Sequence, residues 1–359
     1  MGDRPCGRPT ACKSDSVTTQ PARSRVTLTD ISSRAWEHPA DRGALVALRK
    51  LKGFDTVLKA MSGLFNERAV RLVYLGSAIK VDERQFSRLH SLLTDVARIL
   101  DAPELPELYV SANPVPNALT IGMNKPFIVV TSGLVDLLDD EEMRFVLGHE
   151  LGHAISGHAV YQTLLQRLIQ LSGVLNAVPL GGLGFRAIMA ALMEWSRKAE
   201  LSADRAGLLA TQDPPTAFRV HMQLASGGHL EDLDTTSFFA QGQEYDDAGD
   251  LRDSVLKLLL VEARSHPFAV VRATELRRWV DSGEYTAFLA GGYPRRDTDD
   301  EAKVSDAARD AARSYTETFQ QSQDAVGRLV HDAAGFLGSA KLWLDDVLGR
   351  SGRPDDDAV

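Results

Sequence analysis

The run His149-Glu150-Leu151-Gly152-His153 leaves the surrounding chain little freedom. Residues four apart on an α-helix share one face. Two imidazoles there can hold one divalent ion from the same side, at about 2.0–2.1 Å each. Glu150 then projects beside the ion rather than onto it. A carboxylate in that position can take a proton from an attacking water and return it to a leaving amine. Nine histidines and 49 acids in 359 residues make a His-acid-x-x-His pattern a chance event at about 0.03 per chain. Phe145, Val146, Leu147 and Leu151 pack around the motif at helical spacing. Acids at 139–142 stand where a helix dipole favours them, so the helix is expected to open there and to run to about Tyr161.

Such an ion needs a third protein ligand and one open position. The residue six after His153 is Ala159, which excludes a three-histidine spacing on this helix. His158, five after His153, would point well away from the His153 face of a continuous helix and reads as structural. The other route is a carboxylate from a second helix. Residues 196–204 read Ser-Arg-Lys-Ala-Glu-Leu-Ser-Ala-Asp, with Glu200 and Asp204 four apart on one face. By themselves they would be a solvated face beside Arg197 and Arg205. Paired with the upstream motif, Glu200 becomes the third ligand. Asp204 becomes the acceptor that fixes the tautomer of a ligand histidine.

These pieces, in this order, resemble the zinc metallopeptidase family of the CAAX prenyl proteases and HtpX-type proteases. The matching residues are Asn117-Ala118, the run from Ile128 through Thr131-Ser132-Gly133-Leu134 to Asp140-Glu141-Glu142, the motif from Val146 to His153 with His158 after it, Ser196-Arg197 through Glu200 to Asp204, and Ser265-His266-Pro267 with Arg272. The resemblance spans about residues 65–280. It implies a zincin-like core, one Zn²⁺ per chain on His149, His153 and Glu200, and acid/base work by Glu150. It also implies that His266 lies near the metal, where an imidazole can stabilise an oxyanion; the alternative is a turn histidine starting a helix before Pro267. For Arg272 the alternatives are contact with the oxyanion or substrate, and an ion pair supporting the site. The chain departs from the multi-span members of that family in showing no clear span. An intramembrane chamber and prenylated substrates are therefore not carried over.

The rest of the chain reads as α+β, mainly helical, with a small mixed sheet. Helical periodicity marks 41–62 and 83–100, and residues 69–76 are β-prone. Short strands are expected at 108–110, 118–121 and 126–131, with a Gly-Met-Asn-Lys turn before the last. Peptide substrates of such enzymes add as a strand to a sheet edge, here expected near Ala118-Ile121. Pro126 fits an edge because it cannot donate to a ladder. The uncharged stretch 168–185 contains Pro179 and glycines 181, 182 and 184, and reads as two helix ends joined by a loop rather than a membrane span. Asp213-Pro214-Pro215 stops the helix that precedes it.

Net charge is −9, and no basic stripe offers a nucleic-acid footprint. The only cysteines, Cys6 and Cys12, exclude a disulfide scaffold and a cysteine-ligated metal site. Residues 1–27 read as a flexible arm without a signal peptide, which points to a cytoplasmic location, residues 28–296 as the peptidase domain, and 297–359 as an acidic amphipathic helical tail. The apolar stripe over 304–347 calls for a cover: the body, a second copy, or a lipid surface. The expected activity is a zinc metalloendopeptidase acting on protein or peptide substrates. The rival is a non-proteolytic adaptor of the same fold, working through its tail.

Overall fold

The computed structural model describes residues 24–49, 54–56, 58–59, 66–175, 182–247 and 268–299. It is mainly helical around a mixed four-stranded sheet. The strands are β1 (Ile79–Lys80), β2 (Leu108–Ser111), β3 (Ala118–Ile121) and β4 (Phe127–Thr131). Their order is β1-β2-β4-β3, with β2 and β4 parallel and the other pairs antiparallel.

Alternation along the strands gives the sheet two apolar faces. Tyr109, Ile121, Phe127 and Val129 face a helix at Glu67–Ser77, whose Val70 and Tyr74 pack on them. Leu108, Val110, Ala118, Ile128 and Val130 face the main core, with the motif helix at Asp140–Ile155 and the helix at Ser87–Ile99. β3 is a sheet edge. Pro126 is not on that edge: it immediately precedes β4, an inner strand, where no ladder bond is asked of it.

The stretch 69–76 is helix, not strand. Its Val, Leu and Tyr content suits either state, and polar anchoring decides. The Asn66 side chain caps the helix by accepting the Ala69 N–H. Glu67 accepts N–H groups from Met123, Asn124 and Lys125, and Arg71 donates to the Lys125 carbonyl, so the helix clamps the β3–β4 turn.

The motif helix starts with a capping box between Asp139 and Glu142 and is buried almost throughout. It stops at Ile155, earlier than periodicity suggests. Gly157 takes φ +70°, and a second helix starts at His158 and runs to Leu175. The motif helix packs along a long helix at Gly182–Thr211 through a seam of small residues. A Cβ on Gly148 would stand 2.5 Å from Ala210 Cβ, and one on Gly152 2.5 Å from Ala206 Cβ. The axes approach closely only because neither position carries a side chain. Gly148→Ala is therefore expected to cost about 1–3 kcal/mol, read as a lower urea midpoint with an unchanged slope; an unchanged midpoint would deny that the seam is tight.

A second core joins the N-terminal helix Pro39–Arg49 to the first half of the long helix, through Ala44, Leu48, Leu164, Leu168, Leu192 and Trp195. The two ends of the body are stitched together. Ile31 bridges Arg295, Ser32 N–H donates to the Pro294 carbonyl at 3.0 Å, and Ser32 and Arg34 both bond Asp299. Residues 24–27, at the end of the N-terminal arm, also lie against the body, with Val26 and Gln212 bonded in both directions. The tail from residue 300 onward lies outside the described residues, as does the Pro/Gly-rich junction at 176–181. Among the described residues no helix is long and apolar enough to cross a membrane.

Candidate metal centre

The facing surfaces of the motif helix and the long helix bring His149, His153 and Glu200 together, each 4 % exposed or less. The two Nε2 atoms are 3.1 Å apart. Glu200 Oε1 lies 3.3 Å from His153 Nε2, and Oε2 lies 3.5 Å from His149 Nε2. A tetrahedral ion with bonds of about 2.0–2.1 Å needs ligand atoms roughly 3.3–3.4 Å apart. The two nitrogens stand near that spacing and each has one oxygen of Glu200 near it too, and two nitrogens with one carboxylate is a donor set that zinc accepts. The residues fit the ion.

Outer contacts set the direction of each imidazole. His149 Nδ1 is 3.0 Å from Asp204 Oδ1, so its N–H is donated there and Nε2 keeps its lone pair for the centre. Arg272, 6 % exposed, donates from Nε to Asp204 Oδ2 at 2.7 Å and from Nη2 to Oδ1 at 2.5 Å. Its Nη1 is 3.0 Å from Glu200 Oε2. These are the contacts that the ion-pair reading of Arg272 calls for: its guanidinium holds two carboxylates. Glu150, 1 % exposed, sits next to the centre, and Thr120 on β3 donates to its Oε2 at 2.6 Å.

Electrostatics follow from burial and these pairs. Burial would depress the His149 imidazole, but hydrogen bonds to Asp204 and Glu200 outweigh it and raise the group to about 9. For His153 burial wins over Glu200, and the group falls to about 4. Burial would raise Asp204; the charge of Arg272 and its hydrogen bonds hold it far below the ordinary carboxylate value.

A profile of Peptidase family M48 matches residues 83–280, a span that contains the whole cluster. The chain belongs to peptidase family M48. It is a metalloprotease, a peptide hydrolase. Similar M48 proteins include the plastoglobule-localized metallopeptidase 48 of the chloroplast from Arabidopsis thaliana, 37 % identical over 72 % of this chain and 76 % of that protein. An HtpX protease homolog from Sulfurihydrogenibium is 35 % identical over 26 % of this chain and 31 % of its own length. One from Thermoplasma acidophilum is 30 % identical over 31 % and 35 %. The chain thus spans about a third of the HtpX homologs it matches. No solved structure matches it.

Some functional neighbours in this M48 chain escape sequence reasoning. His158 does not turn away from the site. The break at Gly157 restarts the helix, and His158 Nδ1 comes 3.0 Å from His153 Nδ1. His221, which reads as ordinary, is fully buried, 3.6 Å from Asp204 and edge-on to Phe145. Burial lowers it to about 4, so it packs there as a neutral ring. Asp41 and Thr120 carry no local signal. His266 lies outside the described residues.

Proposed function

We propose that the chain is a zinc-dependent endopeptidase, with His149, His153 and Glu200 holding one Zn²⁺ and Glu150 as general base and acid on a zincin-like core. The observation that carries this reading is the convergence of the two Nε2 atoms and the Glu200 carboxylate at 3.1–3.5 Å, beside a buried Glu150. Bound zinc supplies Lewis acidity, polarising the scissile carbonyl and making water a nucleophile at neutral pH. Glu150 takes the proton of the attacking water on its carboxylate and hands it to the departing amide nitrogen. Thr120 holds that carboxylate by one oxygen. Asp204 keeps the proton of His149 on Nδ1, while Arg272 balances the charge of Asp204 and Glu200.

We assign the substrate to an extended protein or peptide segment paired along β3. That strand is a sheet edge, and its Thr120 already touches Glu150, so a segment aligned on it would lie in register with the base. A cytoplasmic location is the sequence's expectation; the Arabidopsis relative is named for the plastoglobule. Co-sedimentation with vesicles, with and without residues 297–359, tests peripheral membrane contact.

The deciding experiment is metal content together with peptide cleavage. Wild type is expected to carry about one zinc per chain, and Glu200→Ala to lose both zinc and cleavage, because zinc sites of this type use three protein ligands. Full zinc in Glu200→Ala would remove it from the ligand set.

Zinc binding should also release a proton. His149 is raised to about 9 and is protonated at neutral pH without metal, whereas His153, lowered to about 4, is not. One proton is therefore displaced per ion, and lower pH must weaken binding. The apparent Kd should rise about tenfold for each pH unit lost between about pH 8 and 6. Chelator competition at three pH values measures it, and a flat profile contradicts the assignment of His149.

A further inference from the structure

Each imidazole of the centre has a carboxylate behind it, and only one of these stands beside the sequence motifs. We propose that Asp41, on the N-terminal helix Pro39–Arg49, acts through His158 to position His153 for the metal. This rests on the reading above that His149, His153 and Glu200 hold zinc.

Asp41 is 2 % exposed and accepts three hydrogen bonds. Trp195 Nε1 donates to Oδ1 at 2.9 Å, Ser202 Oγ to Oδ2 at 2.6 Å, and His158 Nε2 lies 3.0 Å from Oδ2. His158 is equally buried, and its other nitrogen faces His153 Nδ1 at 3.0 Å. Two ring nitrogens in contact share one hydrogen, so the protons along this chain are ordered. With the lone pair of His153 Nε2 committed to the ion, His153 Nδ1 carries the hydrogen and donates it to His158 Nδ1. The hydrogen of His158 is then on Nε2, and it goes to Asp41. A carboxylate at the far end accepts only, which makes this order the stable one. The arrangement parallels His149 and Asp204, with one ring interposed. The difference lies in origin: Asp41 precedes the matched span 83–280, so a segment outside the family profile completes the centre.

An amide in place of Asp41 cannot serve all three donors, because it has one accepting oxygen. If the oxygen stays with Ser202 and His158, the NH₂ meets the Trp195 N–H. If it turns to Trp195, the NH₂ meets His158 Nε2, drives the hydrogen of His158 onto Nδ1, and sets it against that of His153. His158→Phe keeps a ring against Trp195, whose centroid is 5.6 Å from that of His158, but takes away both nitrogens.

The test measures the zinc Kd by chelator competition, and the melting temperature of the metal-free protein, for wild type, Asp41→Asn, His158→Phe, the double variant and Ser202→Ala. Asp41→Asn and His158→Phe are each expected to weaken zinc binding about 10–100-fold. The double variant should be no weaker than the worse single by more than about threefold, since both break one chain. Ser202→Ala, which takes a donor from Asp41 without touching the path to His153, should lower the melting temperature and keep zinc affinity within about twofold. Wild-type affinity in either relay variant overturns the proposal, as do effects that multiply in the double variant. An equal loss of affinity in Ser202→Ala also overturns it, by assigning Asp41 to packing alone. If Asp41→Asn does not fold, His158→Phe decides by the same criterion. A wild type that binds no zinc would remove the metal reading itself. A wild type that binds, with unchanged variants, removes only the relay.

Discussion

Glu150→Gln is expected to keep its zinc and its fold while losing about 10²–10⁴ of kcat. The amide has the shape of the carboxylate and can still accept from Thr120, whose hydroxyl is 2.6 Å from Oε2. What it cannot do is take a proton from water. The substitution falls one residue from His149 yet outside the proposed ligand set, so metal content and catalysis should separate. KM should move little, because the lost interaction belongs to the transition state. A quenched-fluorescence peptide gives kcat and KM, and elemental analysis gives zinc per chain. Cleavage at the wild-type rate by a fully loaded Glu150→Gln protein would place the proton transfer elsewhere and revive the adaptor reading.

Arg272→Met carries the largest expected effect on stability. The guanidinium bonds both oxygens of Asp204 and lies 3.0 Å from Glu200, and all three groups are buried. Methionine fills similar space but leaves two buried carboxylates to share one cation, the protonated His149. Removing one partner of such a group costs about 3–5 kcal/mol. Urea unfolding of the metal-free protein should show this loss. On the proposed ligand set zinc brings a second cation to Glu200, so the gap in melting temperature between loaded and metal-free protein should be wider in the variant than in wild type. A loss below about 1 kcal/mol would mean that the pair is solvated.

What the sequence revealed of the site was local. His149 and His153 on one helix, and Glu200 and Asp204 on another, are each four residues apart, and i,i+4 spacing alone puts each pair on one face. That the two faces meet through small residues shows only in the structure, where Gly148 lies against Ala210 and Gly152 against Ala206. The misses have physical reasons too. Helical phase was carried through Gly157, where the backbone turns left-handed and re-aims His158. Asp41 meets His158, Trp195 and Ser202 across more than a hundred residues, and no periodicity encodes that. Thr120 looked like any strand threonine until β3 was laid beside the motif helix. Residues 69–76 were apolar on both faces, and only Asn66 and Glu67, which cap and clamp, separate helix from strand there. The sheet fared better. Its three longer strands fall close to where alternation put them, and only the place of Pro126 next to an inner strand needed the pairing order.

The stitch between Ile31 and Arg295, and the reach of Asp41 across the body, also govern when during synthesis the site can exist. A ribosome releases Asp41 long before His158, Trp195 and Ser202, and it releases Glu200 well before Arg272. Contacts of such long sequence separation form late and slowly. A half-made chain therefore holds its histidines without their braces and its carboxylates without their cation.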